Sequence, residues 1–256
     1  MCTLTVVTRN ATYLMAMNRD EKIARGTGFP PEIHEFEGVK AIYPSDGDGG
    51  TWFATNEYGI TLALLNWNDV TPHGTHAKTR SRGRVIPALI DSRSLSDLYA
   101  VFDVSNLKGM MPFRLVGVFP SEQEIWEWRW DSKQLGLRTH VWESRHWFSS
   151  SLSDDRAESL RGNTCRDALH ESDASSAPWL RRLHASHAGG PGPFGLCVHR
   201  EDVTTLSYSE IMVTPGHVQM GHFRGNPCTM AQIHPIEIER ANCLDPAVWG
   251  IGSSAI

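Results

Sequence analysis

The sequence predicts an α+β domain in which antiparallel sheets and helices form separate layers. Three observations support this prediction. The first half of the chain is mostly short strand-like segments joined by turns, residues 154 to about 187 have a helical pattern, and the later residues return to strands. Because helices do not alternate regularly with single strands, this order favours layered antiparallel sheets over a wound βαβ sheet.

The first half of the chain contains four strand-like segments, which are CTLTVVT, YLMAMNR, TWFAT and GITLALLN. The turn at Asn10-Ala11 joins the first pair, and residues 56–59 join the second, where Gly59 can adopt the positive φ of a tight turn. Ser81 is a good N-cap for a helix over RGRVIPALIDS, and Ser94 is one for a shorter helix through DLYAVF. We therefore expect two hairpins followed by two helices.

The second half adds a third hairpin from PFRLVGVFP and EIWEWRW, which RTHVWESRHWFSS extends. The helical region that follows has these candidate inward residues: Leu160, Ala168, Leu169, Trp179, Leu180 and Leu183. GGPGPFG ends that region. The segments GLCVHRED, TTLSYSEIMVT and HVQMGHF then predict a final meander of strands.

Length and composition favour one folded unit. The chain has 256 residues, of which 40% are hydrophobic and 21% charged, so a sizeable core is available. Sheet-rich folds of this length commonly form a single domain. We predict one domain over residues 1–256, with a peripheral tail after about residue 227.

Charge and apolar runs exclude several classes of partner. The formal net charge is -5, and no run of Lys or Arg would attract a nucleic acid or an anionic membrane surface. The most apolar stretch, GITLALLNW, is much shorter than the roughly 20 residues that span a bilayer, and no signal peptide is evident. Five widely spaced cysteines without a CxxC pair indicate reduced thiols. We expect a soluble, cytoplasmic protein with no nucleic-acid partner and no membrane span.

The first residues, MCTLTVV, place a cysteine directly after the initiator methionine. Cys2 becomes the N-terminal residue once Met1 is removed, which we expect because the second side chain is small. An α-amino group has a pKa of about 7.7–8.0 and a thiol one of about 8.5, so the amine can accept the thiol proton without a histidine. The alternative is that Cys2 is only a packing residue of a buried first strand.

A polar cluster at the end of the second predicted strand favours the catalytic interpretation. Asn18, Arg19, Asp20 and Glu21 lie where an antiparallel hairpin brings the chain back to its start. A guanidinium held there would lower the pKa of the thiol and orient the amine. Considered without Cys2, the same four residues are equally consistent with a solvent-exposed turn.

Several stretches together resemble a known family. MCTLTVV, MAMNRDE, YPSDGDGGTWFATNEYGITLALLN and SRG are similar to the NRDE family, also called the transport and Golgi organisation 2 family. This resemblance implies a four-layer αββα sandwich of the N-terminal nucleophile (Ntn) hydrolase superfamily. The MCT start and NEYGITLALLN are also distantly similar to choloylglycine hydrolases and penicillin V acylases, which implies that Cys2 is the nucleophile and Asn66 an oxyanion-hole residue. Asn66 can otherwise be read as a turn residue that ends a strand.

The resemblance to the acylases implies further site residues. Arg19 and Asp20 would support Cys2, while an ungapped overlay places Asn18 and Glu21 where the acylases have Arg and Asp. Ser150, in FSSSL, falls where those families carry an asparagine. Two further candidate site residues precede a late strand. Arg200 either matches an active-site arginine of the acylases or is a surface-loop residue. His199, beside it, is a candidate for substrate binding.

Two functions follow from these residues. The first is a cysteine Ntn hydrolase that cleaves an amide bond of a small molecule. The second is a non-catalytic carrier of a hydrophobic small molecule, such as haem or a lipid, which could use Cys2, His199 or neither. The histidines show no metal-ligand spacing, so we expect no metal and no resident cofactor. The sequence leaves the substrate and the oligomeric state open, and it predicts pocket-lining loops at residues 67–80 and 186–196.

Overall fold

The computed structural model describes residues 2–73, 80–102, 104–188 and 192–241. Among these residues, thirteen strands form two antiparallel sheets that pack face to face. The strands are β1 Cys2–Arg9, β2 Thr12–Lys22, β3 Phe29–Phe36, β4 Val39–Ser45, β5 Phe53–Asn56, β6 Thr61–Asn66, β7 Phe113–Phe119, β8 Glu124–Trp130, β9 Leu135–His140, β10 Arg145–Ser149, β11 Val203–Val213, β12 His217–Arg224 and β13 Ile236–Glu239. The three helices are α1 Leu95–Val101, α2 Asp154–Ala168 and α3 Ala177–His184.

The six-stranded sheet has the order β10-β1-β2-β11-β12-β13, which places β1 and β2 near its centre. The seven-stranded sheet follows the chain from β3 to β9 without a crossover. Alternate residues of the first two strands point inward, so Leu4, Val6, Met15 and Met17 form a common core with side chains of the second sheet. This apolar core holds the two sheets together.

Helices and turns cover the outer face of each sheet. On the six-stranded sheet, α2 and α3 pack their buried residues, among them Ala157 and Trp179, against Phe148 and Tyr208. Both helices begin at serine N-caps, as Ser153 and Ser176 accept backbone hydrogen bonds from the first turn. On the seven-stranded sheet, α1 and the turns of residues 85–90 form the other outer layer. The predicted α+β, αββα arrangement is confirmed.

Several local predictions need correction. The segment RGRVIPALIDS is not a helix, because only Arg82–Arg84 form a 3-10 turn, and the proline within it lacks the N–H that a helix interior requires. Leu160 and Leu169 are exposed rather than inward. RTHVWESRHWFSS does not extend one hairpin, because β9 pairs with β8 whereas β10 crosses to the other sheet and pairs with β1. Strands β3 and β4 were not anticipated.

The segment after residue 227 contributes β13 at the edge of the six-stranded sheet. Ile238 of this strand packs into the core between the sheets. The later part of the predicted tail, with Cys243, lies outside the described residues, as do Met1 and residues 74–79 and 189–191 of the predicted pocket loops. No helix in the described part of the chain is long and apolar enough to cross a membrane.

Candidate functional site

Cys2 is the first residue of β1, which lies between β10 and β2. In the strand register it stands opposite Ser149 on one side and Arg19 on the other. Its side chain is only 6% exposed, and that exposed part faces a cavity of about 320 Å³. The hairpin of β1 and β2 therefore brings the NRDE segment directly beside the predicted nucleophile.

The cavity is lined by charged side chains of both signs. It is open to one side and collects residues from both sheets and from the turn after residue 80. The basic residues are Arg19, Arg25, Arg80 and Arg82, and the acidic ones are Asp20, Glu21, Asp46 and Asp48. The remaining wall includes Cys2, Trp52, Leu64, Asn66 and Met111. Five of the predicted site residues, Cys2, Arg19, Asp20, Glu21 and Asn66, thus surround one opening.

Arg19 is held against an aromatic ring rather than in an ion pair with its neighbours. Its guanidinium carbon lies 4.3 Å from the ring centre of Trp52, and Nη1 donates to the carbonyl of Gly26 at 3.2 Å. Burial lowers the pKa of Arg19. The indole Nε1 of Trp52 is buried and has no hydrogen-bond partner among the described residues. The cavity wall therefore contains a guanidinium that is stacked on an indole ring.

Glu21 occupies the other side of the same strand end. Burial alone would raise its pKa, but a hydrogen bond from the backbone N–H of Lys22 and the nearby Arg25 and Arg19 lower the pKa overall. Its Oε2 accepts from Arg25 at 3.1 Å. Glu21 is therefore an ionised carboxylate at neutral pH.

A buried arginine that the sequence analysis missed fixes the backbone of Cys2. Arg161 of α2 is fully buried, and its Nη1 donates to the carbonyl of Cys2 at 3.3 Å and to Oγ1 of Thr3 at 2.9 Å. Its Nη2 lies 3.4 Å from Oδ2 of Asp20. No motif pointed to it, because a single Arg on a charged helix usually faces solvent. Arg161 thus positions the backbone of Cys2.

Asp20 completes this buried network. Its Oδ1 accepts a hydrogen bond of 2.7 Å from Oγ1 of Thr205 on β11. Burial raises the pKa of Asp20, and the guanidinium of Arg161 opposes that rise. The carboxylate therefore links β2, β11 and α2 immediately behind Cys2.

Asn66 ends β6 on the facing sheet and shares its side of the strand with Leu64. The loop that follows is tied to α2, because Asp154 accepts hydrogen bonds from the backbone N–H of Asn68 and from Ser150. In turn, Asp69 accepts from the backbone N–H groups of Asp154 and Asp155 at the start of the helix. Helix α2 thus contacts both the Cys2 backbone and the Asn66 loop.

The SRG segment approaches the GGTW segment closely enough to require glycine. A Cβ added to Gly50 would lie 3.0 Å from the Cα of Gly83, and one added to Gly83 would lie 3.1 Å from the Cα of Gly50. The backbone N–H of Thr51 donates to the carbonyl of Gly83 at 3.0 Å. This contact places Arg82, whose pKa is lowered by burial, in the cavity wall. The SRG motif was the only sequence pattern that pointed to Arg82.

Four predicted site residues do not line this cavity. Asn18 points to the helix layer, where Nδ2 donates to the carbonyls of His184 and Leu196 at 2.8 Å each, because strand alternation puts it on the face opposite Arg19. Ser150 is buried beside Asp154. Arg200 pairs with Asp202 at 3.1 Å, and His199 contacts two cysteine sulfurs. The contacts described for Asn18, Ser150, Arg200 and His199 thus lie outside the cavity of Cys2.

The pocket loops also need correction. Of residues 67–80, Arg80 lines the cavity of Cys2. The described part of loop 186–196 instead lines a separate opening of about 650 Å³ between α2 and α3, which contains none of the predicted site residues.

The thiol of Cys2 does not have the lowered pKa that its neighbours suggested. Burial is the largest influence and raises the pKa of Cys2, outweighing the opposite effect of Arg19. We therefore predict that a chain with an uncleavable N-terminal extension reacts at Cys2 with iodoacetamide more slowly at neutral pH than the same chain in urea. The rate should still be rising above pH 8.5, near which an ordinary thiol is half ionised. Fast alkylation that is independent of pH between about 6 and 7 would contradict this direction.

Comparison with known proteins identifies the fold and the family. The profile of the family described as Transport and Golgi organisation 2 matches residues 1–159. No curated protein matches the chain. Among solved structures, penicillin V acylase from Agrobacterium tumefaciens is similar with a TM-score of 0.54 and 12% identity, over 93% of this chain and 86% of that chain.

Two structures of conjugated bile acid hydrolase from Clostridium perfringens, a cysteine-to-alanine mutant and an arginine-to-leucine variant, are also similar. Their TM-scores are 0.50 and 0.52, each with 10% identity over 95% of this chain and 94% of the other. At such low identity these similarities show the fold, which is the Ntn-hydrolase sandwich. The family profile covers more than half of the sequence and includes both Cys2 and the NRDE segment beside it. The chain therefore belongs to the Transport and Golgi organisation 2 family.

Proposed function

We propose that this protein is a cysteine Ntn hydrolase that cleaves an amide bond of a small polar molecule. The observation that carries the proposal is the position of Cys2, which begins an interior strand of the six-stranded sheet and lines a cavity. Removal of Met1 would place the α-amine and the thiol on the same residue at that position. The nucleophile and its base would then face the substrate together.

The reaction that these groups support has two stages. The amine of Cys2 accepts the thiol proton while Sγ attacks the amide carbon, and the carbonyl electrons move to oxygen. Collapse of this tetrahedral intermediate breaks the C–N bond, and the ammonium donates its proton to the leaving nitrogen. A water molecule then attacks the thioester and transfers a proton to the amine. The C–S bond breaks, and the ammonium returns that proton to the departing Sγ, which restores the thiol and the amine. The scheme needs no thiolate before the substrate binds, because the proton leaves the thiol as the attack occurs.

Asn66 is the best candidate donor to the developing oxyanion. It lies on the sheet opposite Cys2 and lines the same cavity. Within the described residues its side-chain amide has no hydrogen-bond partner, so the N–H groups are available to substrate. A fixed amide donor of this kind stabilises the transition state more than the ground state.

The cavity favours a small and polar substrate. Its volume of about 320 Å³ is at the lower end of the roughly 300–1,000 Å³ found for ligand pockets. The guanidinium groups of Arg19 and Arg82 can bind a carboxylate or carbonyl group. Glu21 and Asp46 can accept from amine or hydroxyl groups of the same molecule.

A carrier of a hydrophobic molecule such as haem is the second candidate. The charged lining and small volume of the Cys2 cavity fit such a ligand poorly, and His199 does not line it. The larger opening between α2 and α3 has a mixed lining, in which Leu160, Leu183 and Phe194 lie beside polar and charged residues such as Asp167 and Arg182. A carrier would therefore use that opening and not Cys2.

The experiment that tests the proposal combines mass and activity. Intact mass should show that Met1 is absent from the protein purified from cells. The processed protein is then screened against small N-acyl amides, beside a haem titration followed by absorbance. Saturable haem binding without hydrolysis of any amide, or retention of Met1, would favour the carrier.

Replacing Asn66 by alanine should lower the turnover of a cleaved amide by about 10²–10³-fold, because one oxyanion donor is lost. The rate at which iodoacetamide modifies Cys2 should stay unchanged, since this reaction forms no oxyanion. Asn163→Ala removes an exposed amide from α2 and is the matched control. Equal loss of turnover in both variants, or slowed alkylation in Asn66→Ala, would contradict the assigned role.

A further inference from the structure

Four metal-ligating side chains meet outside the cavity of Cys2. They are His187, Cys197, His199 and Cys228, and one nitrogen or sulfur of each lies within 4.8 Å of the corresponding atoms of the others. The four come from three separate segments, which are the loop after α3, the short stretch before β11 and the 3-10 turn Pro227–Thr229. None of them lines the cavity of Cys2.

The spacing of these atoms matches a tetrahedral coordination shell. Nε2 of His199 lies 3.4 Å from Sγ of Cys197 and 3.4 Å from Sγ of Cys228. Zinc bonds of about 2.3 Å to sulfur and 2.0–2.1 Å to nitrogen, at tetrahedral angles, separate sulfur from nitrogen by about 3.6 Å. The rings of His187 and His199 have centroids 4.9 Å apart and are tilted by 57°, so both can direct a nitrogen to one point.

A second observation points to a ligand at the same place. Nε2 of His187 is buried and has no hydrogen-bond partner among the described residues. Buried polar atoms without a partner are rare in folded proteins and need an explanation. A bound cation would satisfy this nitrogen together with the sulfur of Cys197, which is fully buried.

We propose that His187, Cys197, His199 and Cys228 bind one zinc ion. Two thiolates and two imidazoles form a ligand set that zinc prefers, whereas calcium and magnesium require oxygen ligands. All four tetrahedral positions are filled by protein side chains, so the site is structural and leaves no position for a substrate.

The ion would connect the helix layer to the six-stranded sheet behind the site. The backbone N–H of Cys197 donates to the carbonyl of Ser186 at 3.1 Å, and the neighbouring Val198 exchanges hydrogen bonds with Thr205. Thr205 also donates to Asp20. Asn18, from the NRDE segment, holds the carbonyl of Leu196 beside Cys197. The zinc ion would thus stabilise residues 196–198, against which the end of β2 with its NRDE residues packs.

This inference replaces the expectation that the histidines are scattered and bind no metal. The four ligands show no motif because His187 and Cys228 are distant in sequence from the Cys-Val-His segment 197–199. Folding alone brings them together.

The test measures the metal directly. Protein expressed with zinc and purified without chelators should contain about one zinc ion per chain by plasma mass spectrometry. Cobalt added to the metal-free protein should give thiolate charge-transfer absorption and the intense d–d bands of a tetrahedral site. Chelator should lower the melting temperature of the wild type.

Cys228→Ser and His199→Gln should weaken zinc binding by at least about tenfold. Cys228 is exposed, so that variant keeps its fold, and chelator should no longer change its melting temperature. The matched controls are Cys165→Ser and His170→Gln, which replace a cysteine of α2 and a histidine just after it. Both control variants should bind zinc as the wild type does. Zinc-free wild type after zinc-supplemented expression, a Cys197–Cys228 disulfide in the fresh protein, or undiminished binding in Cys228→Ser would each overturn the proposal.

Discussion

Replacing Cys2 by alanine should reduce hydrolysis of any amide that the protein cleaves to the uncatalysed rate. The covalent step requires Sγ, and no other described thiol lines the cavity that holds Cys2. The substitution removes one atom from the wall of an open cavity and leaves no closed void, so the free energy of unfolding should change by less than about 1 kcal/mol. Steady-state kinetics and urea denaturation of the processed protein measure both effects.

Cys165→Ala is the control for this substitution, because Cys165 is also a buried free thiol but belongs to the buried face of α2. It should lose stability and keep its turnover per folded molecule. Hydrolysis that persists in Cys2→Ala would exclude Cys2 as the nucleophile and with it the proposed mechanism.

Replacing Arg161 by methionine should lower the free energy of unfolding by about 3–5 kcal/mol, the range for removal of one partner from a buried ion pair. Asp20 would remain buried without its guanidinium, and the carbonyl of Cys2 and Oγ1 of Thr3 would lose a donor. Urea denaturation at pH 7 measures the loss. Arg166→Met, on an exposed position of the same helix, should change stability by less than about 0.5 kcal/mol.

The loss in Arg161→Met should depend on pH in a defined direction. Burial already raises the pKa of Asp20 and Arg161 opposes that rise, so the pKa increases further in the variant. A carboxyl group whose pKa is raised by folding stabilises the folded state below its unfolded pKa of about 3.9 and loses that contribution as the pH rises. The difference between variant and wild type should therefore be larger at pH 7 than near pH 5. An equal difference in unfolding free energy at pH 5 and pH 7 would mean that the ionisation of Asp20 does not determine the loss.

The sequence was sufficient to predict the fold and the neighbourhood of Cys2. Period-two patterns and turn residues located the hairpins of β1–β2, β5–β6 and β7–β8, which pair as expected. A hairpin necessarily returns the end of β2 to the start of β1, so the proximity of Arg19 to Cys2 followed from local pairing. By contrast, β3 is an exposed edge strand with two prolines, and its pattern carried no strand signal.

Long-range contacts account for what the sequence did not reveal. The roles of Arg161 and Asp154 depend on how α2 docks on the sheet, and nothing local distinguishes these residues from the other charges of that helix. The assignments of Asn18, Ser150 and His199 relied on resemblance without knowledge of which face each side chain takes. The charges near Cys2 are visible in the sequence and favour a lowered pKa. Its depth of burial, which raises that pKa in the chain that carries Met1, is not visible there.

Helix α2 contacts both parts of the proposed catalytic site, the backbone of Cys2 and the loop after Asn66. The proposed nucleophile and oxyanion donor belong to different sheets. These sheets meet through an apolar core and through a few polar contacts, such as the hydrogen bonds that Tyr13 of β2 donates to Gly59 and Thr61. Asp154 anchors the loop after Asn66, and Arg161, about two turns or roughly 10 Å further along the helix, anchors Cys2. Because the helix is rigid and contacts both sheets, it helps to fix the distance between Cys2 and Asn66. Substitutions within this helix that never touch a substrate should therefore change the turnover number more than the Michaelis constant.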